Sequence, residues 1–242
     1  MNANNASAKE RLLFIPGHLC DERLYAPQLE VLKDKFDCQI MMFREETSMQ
    51  AIGERILASQ PERFHCVGLS MGGYIAFELL RQAPERLINL ALLDTRATPD
   101  NDAHRQGRLA DRAKAATLGM EAFSQSLPVR FLAPSHVNVP EIAGVTMAMA
   151  KALGHQAQIA QQEAMMSRPD SLPDLSRVAC PTLVACGRQD TLTTVADHEA
   201  IAAAIRRHRQ DCRFEVIEDC GHISTLEQPA IVNLLLLTFL LA

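Results

Sequence analysis

The chain has 242 residues, 48% of them hydrophobic and 22% charged, with a formal net charge of −5. That length and balance describe one globular domain with its own core, and exclude a disordered, fibrous or disulfide-stapled chain. The acidic charge lacks the basic footprint that binding to nucleic acid or an anionic membrane surface requires.

Seven cysteines are present, and no two form a C-x-x-C pair, so neither a zinc site nor a dithiol redox motif is indicated. Cys38, Cys66 and Cys186 fall in strand-like runs, where cysteine behaves as a small apolar residue. Met1 to Ser7 lacks the apolar core of a secretory leader, and a reducing cytoplasm is the expected location. The C-terminal run Ile231 to Ala242 is too short to span a bilayer and is read as a buried helix.

Taken in order, Arg11 to Ile15 is an apolar run of strand length, closed by Pro16-Gly17. Its lack of alternation predicts a strand covered on both faces. A helix is predicted from Leu24 to Lys35, a second strand over Cys38 to Phe43, and a helix from Met49 to Gln60. Phe64 to Val67 forms a third strand, Tyr74 to Ala83 a helix, and Leu87 to Leu93 a fourth strand ending in Asp94. From Thr98 to about Ser176 no strand-like run occurs. Helical patterns cover 101–118, 120–126, 140–153 and 155–168, with Gly119 and Gly154 as C-caps. Strand and helix then alternate again: Pro181 to Cys186, Val195 to Arg206, Arg213 to Ile217, and Glu227 to Leu241. Such alternation favours a parallel sheet with helices on both faces. Residues 1–96 and 177–242 are therefore expected to form the core, and 97–176 an inserted helical cap.

The most informative stretch is Gly68-Leu69-Ser70-Met71-Gly72-Gly73. It reads strand, tight turn, helix, with a serine at the tip, which is the context that gives G-x-S-x-G its meaning as a nucleophile elbow. The glycines let strand and helix approach closely around a serine held in a strained turn. Ser70, Asp190 and His222 all lie just past predicted strand ends, where the reactive groups of such sheets collect. Their order along the chain is Ser, Asp, His.

With these pieces the sequence resembles the α/β-hydrolase superfamily across nearly its whole length. The matching segments are Ile15-Pro16-Gly17-His18, the elbow, Gly187-Arg188-Gln189-Asp190 and Cys220-Gly221-His222. The last two are similar to the acid and base loops of capped small-molecule hydrolases such as enol-lactone hydrolases, acyl-carrier methyl esterases and cofactor-free perhydrolases. Only about ten residues precede the first strand, so the antiparallel hairpin of larger members is missing and about six parallel strands are expected. The resemblance implies Ser70 as nucleophile, His222 as general base and Asp190 as its orienting acid. It also implies an oxyanion hole from the backbone N–H groups of Met71 and His18. Asp94 is the rival acid, because some relatives carry the acid after the strand that follows the elbow. The His18 side chain is read as a pocket-wall group, and Cys20 and Cys220 as ordinary loop cysteines.

The expected activity is hydrolysis of a small carboxylic ester, thioester or lactone, without metal or other cofactor. The alternatives are acyl transfer or perhydrolysis on the same triad, and a ligand-binding signalling protein that keeps the pocket. The expected partner is a small molecule, not nucleic acid or membrane; the oligomeric state is left open. Five of the ten methionines (Met120, Met147, Met149, Met165 and Met166) fall in 97–176. They either form an apolar pocket wall over Ser70 or simply pack the helices together.

Overall fold

A computed structural model describes residues 9–242. The stretch Met1 to Ser7, discussed above as no leader, lies outside the described residues. Six strands form one parallel sheet: β1 (Arg11–Ile15), β2 (Asp37–Ile40), β3 (Phe64–Leu69), β4 (Leu87–Leu93), β5 (Thr182–Gly187) and β6 (Cys212–Ile217). Their order across the sheet is β2-β1-β3-β4-β5-β6. The chain runs outward from β1 to β2, then returns to the other side of β1 to lay down β3. That reversal opens a crevice beyond the carboxyl ends of β1 and β3, where open parallel sheets bind their ligands.

The unbroken apolar runs follow from burial on both faces. Leu12, Leu13, Phe14 and Ile15 are all 0% exposed. Because successive side chains alternate in direction, Leu12 and Phe14 join one core, with Val67, Leu69, Ala91 and Leu93. Leu13 and Ile15 join the other, with Phe64, Cys66, Leu90 and Leu92. The first core is covered by α1 (Ala26–Leu32) and α9 (Pro229–Leu240), the second by α2 (Met49–Ser59), α3 (Met71–Gln82) and α7 (Val195–Arg206). A polar side chain on either face loses water and needs a partner, as His65 finds in Glu10 at 3.0 Å, which favours the apolar composition of the strands.

Four elements differ from the sequence-based expectation, one of them a short helix over Leu127–Phe131 that no pattern predicts. The helix predicted over 24–35 is a 3-10 turn (Glu22–Tyr25) followed by α1, with Pro27 in the first turn of α1. β2 stops at Ile40 rather than Phe43. The C-terminal helix is split at Gln228, leaving the short α8 (Ser224–Glu227) before α9. On α9 only one face is covered: Val232 and Leu236 are buried, but Leu234 is 62% exposed.

Residues 97–176 contain α4 (Asp102–Ser124), α5 (Leu127–Phe131) and α6 (Pro140–Ser167) and no strand. α4 and α6 are each interrupted at the glycine expected to cap a helix, Gly119 at φ 76° and Gly154 at φ 79°. Among the described residues no helix is long and apolar enough to cross a membrane.

Candidate active site

Ser70 sits between the last residue of β3 and the first of α3, at φ 56° and ψ −112°. A non-glycine residue in that region is strained and has to be held by its surroundings. Here the Ser70 N–H donates to Leu93 O at 2.9 Å. The Thr95 hydroxyl donates to Ser70 O at 2.8 Å, and the Thr95 N–H donates to His198 Nε2 at 2.7 Å. The close packing that the glycines permit is severe: a Cβ on Gly72 would stand 1.9 Å from Ile15 O, and one on Gly68 2.4 Å from Gly72 O. Any other residue at either position would push β1, β3 and α3 apart.

The three residues singled out past the strand ends meet. The Ser70 hydroxyl donates to His222 Nε2 at 2.8 Å, and His222 Nδ1–H donates to Asp190 Oδ2 at 2.7 Å. Asp190 Oδ1 accepts the N–H groups of Leu192 and Thr193 at 2.8 and 3.0 Å. Oδ2 also accepts the Thr193 hydroxyl at 2.6 Å. Burial pulls the His222 imidazole down, but the charge and hydrogen bond of Asp190 outweigh it and hold the pKa above its ordinary value. Burial pushes Asp190 up, yet His222 and Thr193 bring it below the usual carboxylate range.

Asp94, the rival acid, is directed elsewhere. Its Oδ1 accepts the Gly187 N–H at 3.1 Å, and its Oδ2 faces the Ser224 N–H and hydroxyl at 3.1 and 2.5 Å. Burial, then the charge of Asp190, push the Asp94 carboxyl up to about 8, well above the usual carboxylate range.

Ser70 and His222 open onto a cavity of about 250 Å³ between the sheet edge and α4–α6. His18 lines it, as expected. Gln161 on α6 donates from Nε2 to Phe43 O at 2.8 Å, so its Oε1 is the acceptor for the Leu19 N–H at 3.0 Å and for His18 Nδ1 at 2.9 Å. His18 therefore carries its proton on Nδ1. In this loop the Leu19 N–H is taken by Gln161 and the Cys20 N–H donates to Gly17 O at 3.1 Å. Met71 is the first residue of α3, so its N–H has no intrahelical acceptor.

The methionine wall is not found: of the five methionines only Met165 lines the cavity, while Met149 is buried in the core. Cys20 lines the cavity, but burial, then Asp21, push its thiol up to about 12. Burial and then Asp94 raise the Cys220 thiol still further, so neither thiol is available as a thiolate. Among the described residues no group of three or more His, Cys, Asp or Glu side chains could hold a metal ion.

Two supporting residues escape sequence reasoning. His198 backs Thr95 beneath the elbow. Glu227, read only as the start of a helix, is a buried clamp. Its Oε1 accepts the N–H groups of Gly221 and Ile223, on either side of His222, at 3.0 and 3.1 Å. Its Oε2 accepts the Ala133 N–H at 2.7 Å and His136 Nδ1 at 3.0 Å. One carboxylate thus joins the His222 loop to the segment between α5 and α6.

The profile of the alpha/beta hydrolase family matches residues 42–233. The protein is 29% identical over 174 residues to 3-oxoadipate enol-lactonase 2 of Acinetobacter baylyi, a match covering 72% of this chain but only 61% of that protein. It is 27% identical over 229 residues to 3-oxoadipate enol-lactonase 1 of the same organism, covering 86% of this chain and 80% of the relative. Among solved structures, a thermophilic esterase from Thermogutta terrifontis with malate bound superposes with a TM-score of 0.85 at 27% identity, covering 96% of this chain and 90% of the other. The enol-lactonase of Burkholderia xenovorans LB400 superposes with a TM-score of 0.86 at 20% identity, covering 100% and 95%; at that identity the likeness is one of fold. With its parallel six-stranded sheet, its strand–serine–helix turn and a profile match over most of its length, the chain belongs to the alpha/beta hydrolase family.

Proposed function

We propose that this protein is a cytoplasmic serine hydrolase that cleaves a small carboxylic ester, thioester or lactone through an acyl-enzyme on Ser70, with 97–176 acting as a cap over the site. The observation that carries this reading is the continuous chain of hydrogen bonds Ser70–His222–Asp190 at the mouth of a cavity. The likeness to enol-lactonases and to an esterase supports the choice of bond.

A serine hydroxyl is a weak nucleophile at neutral pH. As Ser70 Oγ forms its bond to the substrate carbonyl carbon, His222 Nε2 takes the proton, and Asp190 stabilises the imidazolium that results. The carbonyl electron pair moves to oxygen. The N–H groups of Met71 and His18 are the donors for that oxyanion, each worth about 3 kcal/mol in the transition state. Collapse expels the alcohol, thiol or tethered lactone oxygen, which takes the proton from Nε2. Water then attacks the acyl-enzyme, again giving its proton to His222, and Ser70 leaves protonated.

Trapping tests the nucleophile. A fluorophosphonate is expected to inactivate the protein with one adduct, located by peptide mass spectrometry on Ser70. Ester turnover that persists unlabelled, or an adduct on another residue, would refute it.

The pH dependence follows from His222. Only the neutral imidazole can accept the serine proton, and Asp190 raises its pKa. Asp190 itself stays ionised across the working range. Thus kcat/KM should rise about tenfold per pH unit on the acid side, with its midpoint above the ordinary imidazole value of about 6.5, and level off above it. A profile flat from about pH 5 to 8 would contradict His222 as the base.

A further inference from the structure

The cavity over Ser70 is rich in positive charge, although the chain as a whole carries −5. Arg96, Arg108 and Arg130 line it. Two of these are paired. Arg108 shares Asp100 with Arg168, at 2.6 and 2.8 Å, and Arg130 pairs with Asp111. Arg112, also on α4, reaches Glu163 at 3.3 Å, while Arg105 of the same helix donates to Met166 O at 2.9 Å and is not part of this group. Arg96 has no carboxylate partner among the described residues. The group therefore sets five guanidiniums against three carboxylates, two positive charges in excess.

Arg96 is also short of acceptors. It is half-buried, directly after Thr95, whose two bonds hold the backbone there. Its Nε is buried and has no partner among the described residues. Its Nη1 lies 3.0 Å from His104 Nε2, while His104 Nδ1 faces the Asn101 N–H at 3.3 Å. A neutral imidazole has one acceptor nitrogen, so His104 cannot serve both donors. Among the described residues Arg96 thus has at most one acceptor for its five N–H groups, and the edge formed by Nε and Nη2 has none. Leaving a guanidinium so poorly paired is costly unless something else meets it.

The field is felt across the cavity. Burial, then the charge of Arg108, with Arg130 and Arg112 behind it, hold the His18 imidazole down to about 3, against the opposing hydrogen bond to Gln161. The part of that depression that comes from the arginines, after burial, has the sign that favours an anion in the lumen.

We propose that Arg96 anchors an anion subsite in this cavity, and that the substrate is an ester, thioester or lactone carrying a carboxylate a few carbons from the reacting carbonyl. This rests on the serine-hydrolase reading above. A planar carboxylate offers two acceptors to the Nε–Nη2 edge once a side-chain torsion turns that edge, buried in this structure, toward the lumen. Arg108 and Arg130, tied to Asp100 and Asp111, supply the surrounding field rather than the direct bond. A tetrahedral phosphate matches the single edge less well and takes more of a small cavity.

Two substrates of equal length test this: mono-p-nitrophenyl glutarate, whose acyl chain ends in a carboxylate, and p-nitrophenyl valerate, whose chain ends in methyl. In the wild type kcat/KM is expected to be at least about tenfold higher for the glutarate ester, an advantage that shrinks as salt rises. Arg96→Gln should cost the glutarate ester about 10- to 100-fold and leave the valerate ester within about threefold. Arg96→Lys should retain part of the preference. Equal rates on the two esters in the wild type overturn the subsite, a comparison that stands even if the variants do not fold. Equal losses on both esters in Arg96→Gln overturn it as well. Calorimetric titration of glutarate into Ser70→Ala reads the subsite without turnover, and binding should vanish when Arg96→Gln is added. Inorganic phosphate binding there more tightly than glutarate would overturn the carboxylate assignment. Arg96-dependent glutarate binding in a protein that turns over no ester would sink the hydrolase reading and leave the subsite standing.

Discussion

Replacing Ser70 with alanine is expected to lower kcat on p-nitrophenyl esters by at least about 10⁴-fold while leaving the fold intact. On the proposed mechanism the loss is large because the hydroxyl would be the atom that bonds to the substrate, with no neighbour to replace it. Cys20 and Cys220 are the nearby nucleophiles, and burial holds both thiols protonated. The residual rate would come from binding and the oxyanion donors alone. Stability should change by less than about 1 kcal/mol. Alanine pays the same backbone cost at φ 56° as serine, and the bonds that hold the turn involve the Ser70 N–H and C=O, not its hydroxyl. His222 Nε2 loses its donor but sits on the cavity wall, within reach of water. Steady-state kinetics beside a thermal melt checks both halves. Near-full activity in a folded variant would exclude Ser70 as the nucleophile.

What the sequence revealed, and what it hid, divides by the range of the interaction. The strands were readable because burial on both faces imposes an unbroken apolar run, as in Leu12 to Ile15. The elbow was readable because its residue types lie within six positions: strand, strained serine, helix, and two glycines, although a Cβ on one of them would meet the distant Ile15 O at 1.9 Å. The breaks at Gly119 and Gly154 were readable because a positive φ is a local property that glycine tolerates. Glu227 and Arg96 were not. Glu227 acts on Ala133, 94 positions away, and nothing in its neighbours announces a buried clamp. A charged residue in a helical stretch is ordinarily solvated, so its pattern carried no signal. The character of the cavity stays open in the sequence for the same reason. Methionines of 97–176 fit either an apolar wall or plain helix packing, because which face of α4 and α6 looks toward Ser70 is set by packing on the sheet. That packing presents Arg108 and Met165, not Met149. The same limit explains β2, whose end at Ile40 depends on where β1 stops offering partners.

Changing Asp190 to asparagine is expected to reduce kcat/KM by about 10⁴-fold, although the change is nearly isosteric. The reason lies in which way the new amide must face. The Leu192 and Thr193 N–H groups both point at the Oδ1 position, so the amide oxygen must sit there. The NH₂ group then occupies the Oδ2 position, against His222 Nδ1. Facing a donor, Nδ1 must become the acceptor, and the ring proton moves to Nε2. Nε2 then presents a proton to Ser70 Oγ and cannot take one away. Asp94 does not rescue this state, because its oxygens are held by Gly187 and Ser224 rather than by His222. Losing the charge of Asp190 lets Asp94 ionise at lower pH, but a charge without the bond to Nδ1 does not restore the tautomer. Asp94→Asn should therefore keep activity within about tenfold, at a stability cost of about 1–3 kcal/mol for the disturbed Ser224 and Gly187 bonds. Kinetics and denaturant melts on the two variants side by side settle the roles. If Asp94→Asn loses the activity and Asp190→Asn keeps it, the two carboxyl groups have been assigned the wrong way round.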